Sequence, residues 1–332
     1  MDFTELVDLA AEKLGGAVLV ANDEFFAPKE NLLKPAAPVF IEDKYTDLGK
    51  WMDGWETRRR RTPGYDWCIV RLGLPGIIRG VVVDTSFFRG NYPEHCSLEA
   101  CALDGLPTLA ELTSESINWT QLLPQLPLAG DTQNRFAIED EQRYTHLRLK
   151  IYPDGGVARL RVHGEVVPDW DRLLRVGGDI DLAAVENGGR VIACSDMFFG
   201  HRHNLIMPGR AANMSDGWET KRRRGPGHDW TIIRLARPGQ VRRVEVDTAW
   251  FKGNFPESCA LEANALGNLP EEKLTDLSVV WKSILPRTKL QAHTRHFFEK
   301  ELFDAGIVSH LRFNIFPDGG VSRLRAYGSP AS

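Results

Sequence analysis

Glu56 stands two residues before a run of four arginines, Arg58 to Arg61, and Glu219 stands two residues before Lys221-Arg222-Arg223-Arg224. A carboxylate beside several cations is ordinarily an ion-pair partner. In a partly dry pocket it can instead act as general acid or base, an effect of about 10²–10⁴ in rate. Arginine offers a planar fork that grips a carboxylate through two charge-assisted hydrogen bonds. Arg59, Arg60 and Arg61, with Arg222, Arg223 and Arg224, are therefore candidates for holding a small anion; the alternative is a solvated loop whose arginines pair with neighbouring carboxylates. Trp55 and Trp218 precede the two glutamates, either covering a ligand or plugging one end of a core.

Asn91 and Asn254 each follow a glycine. Gly-Asn suits a turn with positive φ, and the Asn amide can also donate and accept toward a ligand. His146 and His310 are candidates for acid–base work, against the alternative of hydrogen-bonded structural groups. Asp84 and Asp247, each followed by threonine, read as turn caps, and Cys96 and Cys259 read as small buried residues before nucleophiles. His201-Arg-His203 faces Pro28-Lys-Glu30 in the other half of the chain, and no cluster has zinc-ligand spacing, so neither metal nor cofactor is expected.

These candidates come in pairs because the chain contains itself twice. Asp53 to Trp67 returns as Asp216 to Trp230 with 12 of 15 positions identical, at an offset of 216 − 53 = 163. The segment Val83-Asp-Thr-Ser-Phe-Phe-Arg-Gly-Asn-Tyr-Pro-Glu94 returns as Val246-Asp-Thr-Ala-Trp-Phe-Lys-Gly-Asn-Phe-Pro-Glu257, and Pro153-Asp-Gly-Gly-Val157 as Pro317-Asp-Gly-Gly-Val321. Asp8-Leu-Ala-Ala11 matches Asp181-Leu-Ala-Ala184 at an offset of 173, so the first copy carries 173 − 163 = 10 extra residues between Pro35 and Asp53. A tandem duplication predicts two domains, residues 1–168 and 169–332.

Each copy must position its candidates on short strands. Ala17–Val20, Trp67–Leu72, Ile77–Val83, Leu98–Cys101, His146–Tyr152 and Val157–Val162 are β-rich, several alternate apolar with polar, and Gly, Pro, Asp and Asn punctuate them. Helical signal is confined to the opening of each copy and to patches such as Ile138 to Tyr144. With no strand–helix–strand rhythm and no glycine-rich phosphate loop, the pattern predicts an all-β chain: two jelly-roll β-sandwiches with few short helices.

Composition narrows the function. With 41 Lys+Arg against 45 Asp+Glu the net charge is −4, a poor surface for nucleic acid, and no apolar run approaches the roughly 20 residues of a membrane span. The five cysteines form no disulfide framework and the opening residues form no secretory signal, so the expected compartment is the cytoplasm. A homo-oligomer is expected from the strand edges and the arginine loop.

The doubled motifs Asp-Gly-Trp-Glu-Thr, Val-Asp-Thr-x-x-Phe-x-Gly-Asn-x-Pro-Glu and Pro-Asp-Gly-Gly-Val-x-Arg-Leu-Arg resemble those of the allantoicase family over nearly the full chain. The resemblance implies two jelly rolls related to galactose-binding domains, and hydrolysis of allantoate to ureidoglycolate and urea in purine breakdown. On that basis the arginine loop anchors the carboxylate of this small-molecule substrate, Glu56 or Glu219 moves a proton, and Asn91 or Asn254 orients a ureido arm. The competing class is a non-catalytic module that binds carbohydrate or another ligand on the same fold. Tyr65 faces His228, Thr62 faces Gly225 and Arg58 faces Lys221, so the two copies differ chemically and one active copy beside one structural copy is an open arrangement.

Overall fold

Where hydrophobic patterning marks two strands, Trp67–Leu72 and Ile77–Val83, the chain forms a single one of 19 residues, Asp66–Asp84. In the computed structural model, which describes residues 2–103, 105–267, 269–276 and 278–331, this strand is the spine of the first of two compact units, Met1–Pro168 and Asp169–Ser332.

The first unit runs β1 (Val7–Asp8), β2 (Ala17–Ala21), β3 (Tyr45–Thr46), β4 (Gly49–Lys50), β5 (Trp55–Glu56), β6 (Asp66–Asp84), β7 (His95–Cys101), β8 (Thr120–Pro127), β9 (Gln133–Ala137), β10 (Arg143–Tyr152), β11 (Gly156–Val157) and β12 (Arg159–Val166). The N-terminal half of β6 lies between β2 and β10, and its C-terminal half lies between β12 and β9. One strand therefore passes from one layer, β2-β6-β10-β7-β8, into the other, β1-β12-β6-β9. The crossing falls at Gly73-Leu-Pro-Gly76, where the pairing with β10 shifts register. A bend of this kind lets one strand form the corner of a sandwich.

The alternation read in the sequence sets the core. Along β10, Leu147, Leu149 and Ile151 are fully buried while Arg148, Lys150 and Tyr152 are half-buried on the other face. Leu149 lies opposite Cys68 on one side and Leu98 on the other, both buried. Each fully buried aliphatic side chain contributes about 1.5–3 kcal/mol, which holds the layers together without any disulfide.

The second unit repeats the order: β13 (Ile180–Asp181), β14 (Arg190–Cys194), β15 (Trp218–Glu219), β16 (Asp229–Asp247), β17 (Ser258–Asn264), β18 (Lys282–Lys289), β19 (Arg295–Phe298), β20 (Val308–Phe316), β21 (Gly320–Val321) and β22 (Arg323–Pro330). Here β16 plays the part of β6, between β14 and β20 and then between β22 and β19. The β3–β4 hairpin has no counterpart; it is what the ten extra residues build, and a short 3-10 turn at Met214–Asp216 stands in its place.

Of the two α-helices among the described residues, α2 (Trp170–Val176) lies at the opening of the second copy, as the helical signal there predicts, whereas α1 (Leu109–Leu112) lies outside the patches that carry it and the first copy opens on 3-10 turns, Phe3–Glu5 and Glu12–Leu14. Ile138 to Tyr144 is not helical. Asp140 accepts hydrogen bonds from the Gln142 backbone N–H at 2.7 Å and the Tyr144 hydroxyl at 3.0 Å, a local turn that leads into β10.

Candidate active site

The two-residue strand β5 is the foundation of the site. It pairs with β11, Glu56 opposite Gly156 and Trp55 opposite Val157, and its backbone also exchanges hydrogen bonds with Ala27. Successive side chains point to opposite faces, so burying Trp55 turns Glu56 outward. Trp55 is fully buried and its indole N–H donates to the Asp23 carbonyl at 2.8 Å.

Gly156 has to be glycine, since a Cβ there would sit 1.9 Å from the buried ring of Phe88. That close approach lets the Gly156 N–H donate to the Asn91 carbonyl at 2.7 Å, strapping the Asn91 loop against β11. The Asn91 amide then donates to Glu56 Oε1 at 2.7 Å. The second unit builds the same arrangement. Gly320 packs on Phe251, its N–H donates to the Asn254 carbonyl at 2.8 Å, and the Asn254 amide donates to Glu219 Oε1.

The positive φ expected at Gly-Asn lies three or four residues earlier, at Phe87 (69°) and at Trp250 (71°). A left-handed non-glycine residue costs of order 1–3 kcal/mol. Two hydrogen bonds hold Phe87 there: its N–H donates to Asp131 Oδ1 at 2.7 Å, and the next N–H, of Phe88, donates back to the Thr85 carbonyl at 2.9 Å. The strained turn aims the buried Phe88 under Gly156 and leaves Phe87 at the rim of the site. Asp84 and Asp247 act as turn caps, accepting from the N–H groups of Ser86 and Ala249 at 2.8 Å.

Each Glu–Asn pair opens on a cleft. The first, of about 430 Å³, has Phe26, Phe40, Met52 and Phe87 as its apolar wall, with Lys50 and Arg89 as its cations. The second, of about 680 Å³, is more heavily charged, with Arg222, Arg223 and Lys289 facing Glu219, Glu257 and Asp318 beside an apolar lining of Phe199, Phe255 and Leu290. Burial raises the Glu56 carboxyl above its ordinary range, and the Asn91 hydrogen bond offsets only part of that shift. A carboxyl so placed holds its proton to a higher pH than a solvated glutamate and can deliver it to a leaving group.

A family model described as the allantoicase repeat matches residues 7–167 and again 180–331. The chain belongs to the allantoicase family. It is 49% identical over 329 residues to a probable allantoicase of Photobacterium profundum, covering 99% of this chain and 98% of the relative. To an allantoicase of Dictyostelium discoideum it is 52% identical over 324 residues, covering 97% of this chain and 86% of the relative. The crystal structure of the Saccharomyces cerevisiae allantoicase superposes with a TM-score of 0.82 at 37% identity, over 97% of this chain and 93% of that one.

Within this allantoicase fold the residues singled out by the repeat separate into groups. Glu56 meets Asn91, and Glu219 meets Asn254. Trp55 and Trp218 are fully buried, each indole spent on a backbone carbonyl, so they support the strand beneath the glutamate and do not cover a ligand. Arg60 is committed to Asp66 at 2.8 Å, with its backbone N–H on Asp154, and Arg223 holds Asp229 while its N–H binds Asp318. Those arginines neutralise buried aspartates and tie the loop to the Pro-Asp-Gly-Gly turn. Arg59, Arg61 and Arg224 are exposed and line neither cleft, whereas Arg222 lines the second.

His146 and His310 are not at the clefts. His146 pairs with Arg71, whereas Ile151, five residues further along β10, pairs with Asp66 beside the arginine loop. Five residues of strand span roughly 17 Å. His146 is buried and shares Nδ1 with the Thr145 hydroxyl at 2.9 Å; His310 is likewise buried against Ser309 at 2.8 Å. Burial, reinforced by Arg234, pushes the His310 imidazole down to about 4, and burial with Arg71 lowers His146. Neither ring lines a cleft. Cys96 and Cys259 are buried thiols pushed up to about 12, far from nucleophilic.

Comparison of the copies misses Phe40, Lys50 and Met52. They lie in or beside the segment present in one copy only, where self-comparison has nothing to align. The signal was the composition of that segment, with Lys44 and Lys50 set among Phe40, Tyr45 and Trp51.

Proposed function

We propose that the chain hydrolyses allantoate to ureidoglycolate and urea, with a glutamate of the Glu–Asn pair, Glu56 or Glu219, as the proton-transfer group. Membership of the allantoicase family supports the reaction, and the observation that carries the residue assignment is the Glu56–Asn91 pair at the floor of an apolar cleft. In allantoate one carbon bears a carboxylate, a hydrogen and two ureido groups. The lone pair of one ureido nitrogen expels the other arm as the glutamic acid protonates its departing nitrogen. The resulting carboxylate then takes a proton from water as the water oxygen adds to the iminium-like carbon, giving ureidoglycolate and restoring the acid. The Asn amide fixes one carboxyl oxygen, so the other faces the cleft.

Urea release from allantoate by the purified protein tests the reading. The expected result is saturable release, retained within about threefold when His146 or His310 is replaced by Gln, since neither ring reaches a cleft. No urea but saturable sugar binding would favour the competing binding module.

No helix among the described residues is long and apolar enough to cross a membrane. Five free cysteines, four of them buried, fit a reducing compartment and support a cytoplasmic protein. Exposed Phe297, Phe303 and Ile307 in the second unit are the apolar surface on which we place contacts between copies of the chain. Light scattering at assay concentration is expected to give a multiple of the 37.3 kDa chain mass; the single-chain mass would remove the oligomer.

A further inference from the structure

We infer that the β3–β4 hairpin, found only in the first repeat, completes the reactive cleft there, and that Lys50 is the residue that holds the substrate carboxylate. The inference rests on the allantoate reading and goes beyond it by assigning the anion-binding group to a residue outside the arginine loop.

The first argument is by elimination among the cations. Arg58 is paired with Asp23 at 2.6 Å and Arg60 with Asp66 at 2.8 Å. Arg59 and Arg61 do not line the cleft, and Arg89, which does, bonds Asp131 at 3.1 Å. Among the described residues Lys50 is the lining cation with no carboxylate partner; its ammonium rests on the rings of Phe40 and Tyr45, 4.9 and 4.8 Å from their centroids. Aromatic faces hold an ammonium in place without neutralising it, so its full charge remains for an incoming anion.

The second argument is charge balance. In the first cleft Arg89 is paired with Asp131, which leaves Lys50 facing one carboxyl, Glu56, that burial holds toward its neutral form; in the second three cations face three carboxylates, and Arg223 is already spent on Asp229. A dianion or monoanion entering the second cleft gains no net attraction from its walls. The third argument is the wall itself. Phe40, stacked on Phe87 with centroids 5.8 Å apart, and Met52 come from the segment around the hairpin, and they put apolar surface beside both Glu56 and Lys50. Excluding water strengthens a Lys–carboxylate contact. With the carboxylate on Lys50, the two ureido arms extend along the floor toward the Glu56 carboxyl and the Asn91 amide.

Steady-state urea release by the full chain tests this with Lys50→Met, Lys50→Arg and Lys44→Met. Lys44 sits on the same hairpin, over Trp51 at 3.7 Å, and does not line the cleft. A charge-assisted contact of this kind predicts that Lys50→Met raises KM for allantoate about 10–100-fold with kcat within about threefold, and that Lys50→Arg recovers most of the loss. Lys44→Met is expected to behave as the parent. Thermal unfolding of each variant separates binding from folding. A KM within about threefold of the parent for Lys50→Met, or an equal rise for Lys44→Met, overturns the assignment while leaving the allantoate reading in place. A parent that releases no urea overturns both.

Discussion

Replacing Glu56 by Gln is expected to lower kcat for urea release by about 10²-fold or more while moving KM only a few-fold. Glutamine keeps the shape of the side chain and can still accept the Asn91 amide bond of 2.7 Å through its carbonyl, so what is removed is the transferable proton. The fall is expected to exceed whatever Glu219→Gln produces, because only the first cleft is completed by Phe40, Lys50 and Met52 of the hairpin segment. A kcat/KM within about threefold of the parent would remove Glu56 from the chemistry. The same variant has a second, independent signature in stability. Burial raises the Glu56 carboxyl above its unfolded value, so folding favours the protonated form. That contribution is fully present below the unfolded value near 4.5 and is lost as pH rises through the folded one. At neutral pH the parent therefore buries a charge that Gln does not carry. The Tm of Glu56→Gln is expected to equal or exceed the parent's at pH 7.5, with the difference vanishing near pH 4. In activity the sign is matched: an acid that must be protonated loses its effect as pH climbs through the same raised value.

Much of this architecture is legible in the sequence, for reasons that differ from residue to residue. A side chain kept in both copies is kept for whatever the fold or the chemistry requires, and self-comparison does not separate the two. Glu56 and Asn91 stand in both copies and do meet. Arg60 and Trp55 stand in both copies because Asp66 needs a cation and the sandwich end needs an aromatic plug. His146 stands in both copies as a buried neutral ring, about five residues of strand away from the site. What no repeat can reveal is a device present once. Lys50, Phe40 and Met52 depend on a hairpin that the second repeat lacks, and the strained φ at Phe87 depends on long-range bonds from Asp131 that local Gly-Asn chemistry does not encode. The bend in β6 is hidden for a related reason: Gly73 to Gly76 has the composition of a turn, but partners on both layers keep it extended.

The hairpin has its own anchor, and breaking it is expected to cost more stability than any other single change considered for this chain. Arg159 and Asp53 are 2% and 8% exposed and lie 2.6 Å apart. The same guanidinium donates to the carbonyls of Asp53 at 2.9 Å, Ala158 at 2.7 Å and Ala36 at 3.0 Å, while Asp53 accepts from the Val39 N–H at 3.1 Å. Burial alone would push the Asp53 carboxyl up; its bonds to Arg159 and Val39 hold it below the ordinary value. Arg159→Met removes the fork and leaves a buried carboxylate with the Val39 N–H and, as its remaining cation, Lys34 at 3.5 Å, a change worth about 3–5 kcal/mol. In a unit of this size that lowers Tm by roughly 6–20 °C. The depressed pKa means Asp53 stabilises the fold above its unfolded value and stops doing so as pH falls through the folded one. Protonation relieves the orphaned charge, so the gap between Arg159→Met and the parent should narrow below about pH 4. Because Ala36 and Val39 begin the segment that carries Phe40 and Lys50, the folded fraction of the variant should also show a raised KM. The corresponding Arg323→Met change in the second unit should cost less, since Asp216 there is 24% exposed and water can take over part of its charge. A Tm for Arg159→Met within about 2 °C of the parent, or a larger loss for Arg323→Met, would mean that the pair is not what fastens the hairpin segment to the sandwich.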